Sequence, residues 1–440
     1  MKAHTTTVSA SSPQLLRKMN AQRVLEHMWD AEPTTATELI QATGLTRATV
    51  LALCRELTEQ GWLEVVENAR QAGVYVKGRP ALRYAFRHEA CFVIGVDAGQ
   101  HRLSASVNDL RGSRIGAAQR VLDPRFHDAD RHTGDERRQQ ILDVVQEALQ
   151  DAAVPERAIG AVTLGVPAPV DVHGRSPTGV NDFWDRMNSD LASLGTQRGW
   201  DCMVENDANL AAVAELSRNP ASADSSFAAL LSGERMGAGI MVEGSLLRQR
   251  RGGAGELGML ELVTGVESTL GLGRWARELA KEGLREVACP AAAEGACAAA
   301  ESPSSSQVSA LAGKEAEQVT AQDVFSAADD GDALALQIMD ALADRLARVC
   351  AVLTGLLDLD RIIVSGAVAP ALHDVAKAAK EKLHAYIHAP WLEITASELG
   401  ADAVREGAVG NAIERVRRRA FDGDASAVCA RPSESEPAPA

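Results

Sequence analysis

No stretch of this 440-residue chain approaches the roughly 18 uninterrupted apolar residues of a membrane span, and its opening, MKAHTTTVSASSPQ, lacks the apolar segment of a secretory signal. These absences exclude a spanning helix and make the cytoplasm the expected location. Cysteine is sparse and scattered. Cys54, Cys91, Cys202, Cys289, Cys297, Cys350 and Cys429 are odd in number and no two have C-x-x-C spacing, so neither a disulfide framework nor a zinc knuckle is indicated. Positive charge is also in deficit: a net charge of -15 argues against nonspecific affinity for nucleic acid over the whole surface. The deficit is uneven, however. Residues 13–87 carry ten Lys or Arg against eight Asp or Glu, so nearly all the negative charge lies further along. A mildly basic head on an acidic body fits local contact with phosphates.

The length calls for two or three compact units, and the 46% hydrophobic content supports globular ones. From Leu15 to Asp30, Ala21, Val24, Leu25 and Met28 share one helical face. In the next helix Thr35 and Glu38 have capping-box spacing, and Gly44 breaks it. A third helix has Thr46 as N-cap, Val50, Leu53, Cys54 and Leu57 facing inward, and Gly61 past its end. Two extended runs, 62–67 and 80–86, close the unit. Three short helices followed by a two-strand wing form a winged helix-turn-helix, which presents its third helix to a DNA major groove. Thr46, Arg47 and Thr49 stand at that helix's N-terminal end and Arg55 faces outward further along. Lys77 and Arg79 lie in the wing, with Arg83 nearby, where Gly78 and Pro80 hold the backbone close and rigid. The competing reading is a three-helix protein-interaction domain, and Leu51 and Ala52 stand where polar base readers often occur; order, spacing and local charge favour DNA.

After Glu89 the pattern changes to strands. CFVIGVD, RLSASVND and RIGAAQRV predict an antiparallel meander, followed by a helix over 135–151 and the strand AIGAVTLGV. Strand–helix alternation resumes at MVEND, AALLS, IIVSG and WLEITA, with long helices near 332–358, 371–386 and 402–419, so the body is α/β. Residues 288–318 read as a mobile insertion, and residues 1–12 and 421–440 as disordered ends. No internal repeat is evident.

The head ending in GRPALRYAF, together with GVDAGQHRLSASVNDLRG, GVPAPVD, ENDANLAAVAE and GGAGELGML, resembles the ROK family, in which repressors and sugar kinases share one actin-like (ribonuclease H-like), two-lobed fold. The resemblance covers residue 15 to about 420. It implies a winged helix-turn-helix at 13–88, a first lobe at 89–205 completed by the C-terminal helix 402–420, and a second lobe at 206–401. It further implies that Asp207 occupies the family's catalytic-base position and that Asn206, Glu256 and, more loosely, Asn181 hold sugar hydroxyls. A carboxylate suits that work because it can orient two hydroxyls and accept a proton from one. Asn206 and Asp207 also fit an ordinary helix cap. Gly165 is expected to let backbone approach a ligand, or to turn the chain after its strand.

Phosphoryl transfer in this family needs Gly-rich turns that meet ATP phosphates. Asp97-Ala98-Gly99-Gln100-His101 lacks the second Gly and the Thr of the usual motif, Gly233–Gly239 contains Glu234, and Ser365-Gly366 replaces a Gly pair. Three weakened elements predict a chain that is not an enzyme and takes no cofactor. The family's zinc site uses a His three residues after the GELG Glu and later cysteines; here Met259 stands at that position and VTGVESTLGLG has no Cys, so no metal site is expected. The expected function is therefore a DNA-binding regulator, a repressor of carbohydrate-utilisation genes controlled by a sugar or sugar phosphate. The alternative is an active ATP-dependent sugar kinase with a regulatory head. Expected partners are double-stranded operator DNA, a small sugar and further copies of the chain in a homodimer or homotetramer, with no membrane.

Overall fold

Thr35 opens the head's second helix as its sequence pattern requires: its hydroxyl accepts from the Glu38 amide while the Glu38 carboxylate accepts from the Thr35 amide. The computed structural model describes residues 13–66, 82–122, 134–288, 311 and 314–422. This helix, α2 (Ala36–Thr43), lies between α1 (Pro13–Asp30) and α3 (Arg47–Gln60). Thr46 caps α3, and left-handed Gly44 and Gly61 end α2 and α3. β1 (Thr34–Thr35), β2 (Leu63–Val66) and β3 (Arg83–Phe86) pair antiparallel in the order β1–β3–β2. β1 was not predicted, because two residues carry no alternation and its existence depends on β3, nearly fifty residues on. Val24, Leu25, Met28, Leu39, Val50, Leu53, Cys54 and Leu57 are buried in one apolar cluster.

The body contains two five-stranded sheets. β4 (Phe92–Ala98), β5 (Arg102–Asn108) and β6 (Arg114–Val121) form the expected antiparallel meander. After α4 (Gly134–Ala152), β7 (Ile159–Val166) lies parallel to β4, and β8 (Cys202–Asn206) lies parallel to β7. The second sheet repeats this plan with β9 (Phe227–Ser232), β10 (Met236–Val242), β11 (Ser245–Leu246), β12 (Arg361–Ser365) and β13 (Glu393–Ala396). Their orders, β6–β5–β4–β7–β8 and β11–β10–β9–β12–β13, are equivalent. The sequence carries no visible repeat although the topology does, because strand pairing and burial constrain the apolar pattern and not residue identity.

α7 (Asp207–Arg218) packs on the second sheet and α12 (Ala403–Phe421) on the first, and the two helices pack against each other. A Cβ on Gly407 would lie 1.8 Å from the Leu210 carbonyl oxygen, so the two backbones touch. α8 (Leu272–Ala288), α9 (Ala321–Asp329), α10 (Ala333–Leu357) and α11 (His373–Lys382) bury a large aliphatic cluster against the second sheet. The expected insertion at 288–318 is shorter at its far end: Leu311 is buried in that cluster, and Ala316–Gln318 form a 3-10 turn packed on α8. Leu311 supplies the apolar anchor that composition alone undervalued.

The head is seated on the body. Trp29 lies 4.4 Å from Phe86 and 6.1 Å from Trp62, and its ring meets Phe421 of α12 edge-on at 5.7 Å. The Arg417 guanidinium stands over Trp29 and Phe421 and pairs with Asp30. Arg111, in the β5–β6 turn, donates to the Ala31 carbonyl at 3.0 Å. Among the described residues no helix is long and apolar enough to cross a membrane.

Candidate functional site

Strand register assembles the cleft. Asp97 on β4 pairs with Gly165 on β7, which pairs with Glu205 on β8, so three strand ends line up where α7 begins. Asn206 is the α7 N-cap: its Oδ1 accepts from the Asn209 amide at 3.1 Å and its Nδ2 donates to the Ala168 carbonyl at 3.1 Å. The cap role is thus present, and it also ties α7 to the GVPAPVD segment. Asp207 follows, half-buried, with Oδ1 accepting from the Ala208 amide at 2.8 Å. Burial pushes its carboxyl up to about 8 against the pull of that amide, and Asp97 and Glu256 push it further. With its pKa brought close to neutrality such a group can donate to a hydroxyl when protonated and accept a proton from one when ionised.

Burial likewise raises Asp97, to about 6, although Arg102, Arg137 and Arg405 all draw it down. Glu256 lies on the open side of the cleft in bridge pairing with Gly237 of β10; enclosure raises its pKa and Arg235 opposes the rise. The preceding Gly255 has φ +81°, and a Cβ there would stand 1.7 Å from the Ala238 carbonyl oxygen, which accounts for the glycine in GELG. Asp97, Asp207 and Glu256 thus converge.

Asn181 has a local role. It is exposed, and it caps α5 (Asp182–Met187) by accepting from the Phe183 amide at 2.9 Å. No hydrogen bond among the described residues joins it to Asn206, Asp207 or Glu256. Gly165 is explained by packing: a Cβ would lie 2.5 Å from Val404 Cγ1 of α12 and 2.8 Å from Leu210 Cδ1 of α7. It sits within β7 and not in a turn.

Three participants escaped the sequence reading. Glu205, 3% exposed, receives the Arg248 guanidinium of the second lobe at 2.8 Å and also accepts from the Asn206 amide and Asn209 Nδ2. Arg137, buried on α4, donates to the Ala98 and Gly99 carbonyls beneath the Asp97 turn and to the Met187 carbonyl. Arg405, buried at the start of α12, pairs with Asp402 and Glu406. Only the E in MVEND lay inside a motif; the arginines come from amphipathic helices whose patterns do not single them out.

The expected phosphate turn at 233–239 is reduced to Gly233–Arg235, because Met236–Gly239 is strand β10. Gly239 is small for a packing reason: a Cβ would lie 2.1 Å from the Ala208 carbonyl oxygen. Glu234 is held by Arg277 at 3.0 Å and Arg274 at 3.3 Å, and reaches His101 of the opposite lobe at 3.8 Å. The Ser365 hydroxyl is buried without a partner.

In the head, Thr46, Arg47 and Arg55 are exposed on α3, with Ala48, Leu51 and Ala52 between them. Thr49 is half-buried, its hydroxyl 2.9 Å from that of Thr46, so the pair is engaged with each other. Arg83 donates to the Pro33 carbonyl at 3.0 Å, which fixes the entry to α2. Lys77 and Arg79 lie outside the described residues.

A three-helix head with a small sheet, joined to two lobes of equal strand order around an acidic cleft, defines a helix-turn-helix protein with a sugar-kinase-like body. Residues 93–414 match the ROK family and residues 19–67 match the IclR helix-turn-helix domain. The chain belongs to the ROK family. It is 31% identical over 215 residues to a glucokinase of Halalkalibacterium halodurans, covering 46% of this chain and 60% of that one. It is 23% identical over 252 residues to a xylose repressor of Bacillus spizizenii, covering 56% and 61%. The match therefore spans less than two thirds of either relative. Among solved structures, a ROK family transcriptional regulator described as a homologue of the E. coli MLC protein superposes with a TM-score of 0.65 at 18% identity, covering 94% of this chain and 99% of that one. A ROK glucokinase of Streptomyces griseus in complex with glucose and AMPPNP gives 0.55 at 22% identity, covering 73% and 99%.

Proposed function

We propose that this protein is a DNA-binding transcriptional regulator, a repressor of carbohydrate-utilisation genes, whose operator affinity is set by a sugar held between the two lobes. The observation that carries the reading is α12. Its N-terminal turn stands in the cleft, with Arg405 beside Asp97 and with Arg102 donating to Ala401. Its C-terminal turn bears the head, through Arg417 and Phe421 on Trp29. Nineteen helical residues span about 28 Å, so one rigid rod joins the effector site to the DNA-reading unit. A ligand that binds one lobe arrangement better than the other then changes how paired heads meet two half-sites. Double-stranded DNA, a sugar and a second copy are the partners of this reading, and the cytoplasm its location. The xylose repressors support the repressor assignment.

Within this reading the cleft does not transfer phosphate. Glu234 brings a carboxylate, already paired with two arginines, to the turn where the family places ATP phosphates. The competing reading, an active sugar kinase with a regulatory head, draws on Asp207 itself and on the glucokinase match. Two experiments separate them. Mobility-shift titration with duplexes from the protein's own promoter region should give specific binding that Arg47→Ala weakens, with a salt slope smaller by about one phosphate contact. Unchanged binding overturns the head's assignment. A coupled assay with ATP and a hexose panel should stay below about one turnover per second; a faster rate establishes the kinase.

A further inference from the structure

The segment between Glu256 and α8 wraps around two arginines of α10. Arg345 is fully buried. It donates to the Ser268 carbonyl at 2.7 Å, and its guanidinium lies 4.4 Å from the centre of the Trp275 ring. Arg348, one turn later, donates to the Thr264 carbonyl at 3.0 Å and lies 4.5 Å from the centre of the Tyr386 ring. The same construction occurs twice: a guanidinium between a loop carbonyl and an aromatic face. Gly265, at φ +80°, belongs to it, since a Cβ there would stand 2.7 Å from the Arg348 guanidinium carbon. The loop in turn fixes both ends of the cleft wall. Thr269 accepts from the Met236 amide at 2.7 Å, Gly271 donates to the Glu234 carbonyl at 3.1 Å, and upstream the chain returns to Glu256, paired with Gly237.

Arg345 is an expensive way to hold a loop by packing alone. Its Nε and Nη1 have no partner, and no carboxylate pairs with it among the described residues. A buried guanidinium without a carboxylate partner costs stability that an apolar side chain of similar length would not. Here the ROK resemblance implies a structural zinc, and the residues do not fit one. Met259, half exposed, occupies the His position, and residues 263–273 supply no thiol.

We infer that Arg345 and Arg348 are positioning residues that brace the 264–268 loop where relatives use a metal, so that the cleft wall carrying Glu256 and Glu234 is set without zinc. The brace trades stability for loop order, and this separates it from ordinary packing. The test uses the full-length chain and reads the loop itself, so its failure is distinct from failure of the regulator reading. Elemental analysis should find well under one zinc per chain, and a chelator should leave hydrogen exchange in 264–270 unchanged. Arg345→Met should keep or raise the melting temperature yet speed exchange in that loop at least tenfold, the loss expected for one charge-assisted hydrogen bond. Arg348→Ala, a partly exposed position that tolerates truncation, should speed the Thr264 end by a similar factor and covers the case in which Arg345→Met does not fold. Stoichiometric zinc, including zinc held by Cys289 and Cys297, or chelator-induced loosening of the loop overturns the inference. So does unchanged loop exchange in the folded variants.

Discussion

Trp29→Ala tests whether the head and body are one energetic unit. Trp29 is 3% exposed and lies where α1, the head sheet and α12 meet. Removing a buried Trp side chain costs about 3–5 kcal/mol. The ring contacts with Phe86 and Phe421 account for about 0.5–1.5 kcal/mol each beyond burial, and the Arg417 cation for about 0.5–1 kcal/mol. A head of this size has an intrinsic stability of only about 4–11 kcal/mol. The substitution therefore removes a large fraction of it; the cluster around Trp29 continues into Val93, Ala161 and Val409 of the first lobe, whereas the aliphatic cluster of the second lobe is separate and should be left almost untouched. Urea unfolding followed by hydrogen exchange in α3 and in β9 should show coincident transitions in the wild type and a separate, earlier head transition in the variant. Trp29→Phe, which keeps a ring, should lose about 1–2 kcal/mol and stay cooperative. A Trp29→Ala variant that loses under about 1 kcal/mol with coincident transitions would refute the seam, and with it the route from cleft to DNA through α12.

Gly165→Val drives a branched side chain into Val404 and Leu210, and should destabilise the body by about 1–3 kcal/mol or more in denaturant titration; a neutral result removes the packing account. Arg248→Ala strands the buried Glu205 carboxylate and should cost about 3–5 kcal/mol, much of it recovered by adding Glu205→Gln; absence of rescue refutes the pairing. Asp207 has a folded pKa of about 8 against an ordinary aspartate value of 3.8, so its protonated form is favoured by folding. Its contribution to stability is full below about pH 4 and is lost as pH rises through about 8. Stability measured between about pH 5 and 9 should therefore fall in the wild type and fall less in Asp207→Asn, and parallel curves would contradict the burial of that carboxyl.

The cap and helix-face signals were legible because their partners are local. Thr35 and Glu38, Thr46 and Thr49, Gly44 and Gly61 each act within four residues, and the inward face of α3 repeats at helical spacing. The strand meander was legible for the same reason. The site was legible only in part. ENDANLAAVAE marked a strand end and helix start, and the structure adds that Asn206 spends both ends of its side chain on backbone partners. Asn181 matched a motif loosely, and the structure adds that its side chain caps α5.

What the sequence determined alone is most of the run of elements and the basic head, since periodicity, charge and turn chemistry are properties of neighbouring residues. Tertiary structure decided the rest. The demand for glycine at 165 comes from Val404 and Leu210, the partner of Glu205 is Arg248, and Trp29 meets Phe421 nearly four hundred residues later. Those contacts exist only after strand register and helix packing have brought distant segments together, and no local pattern encodes which residue will arrive.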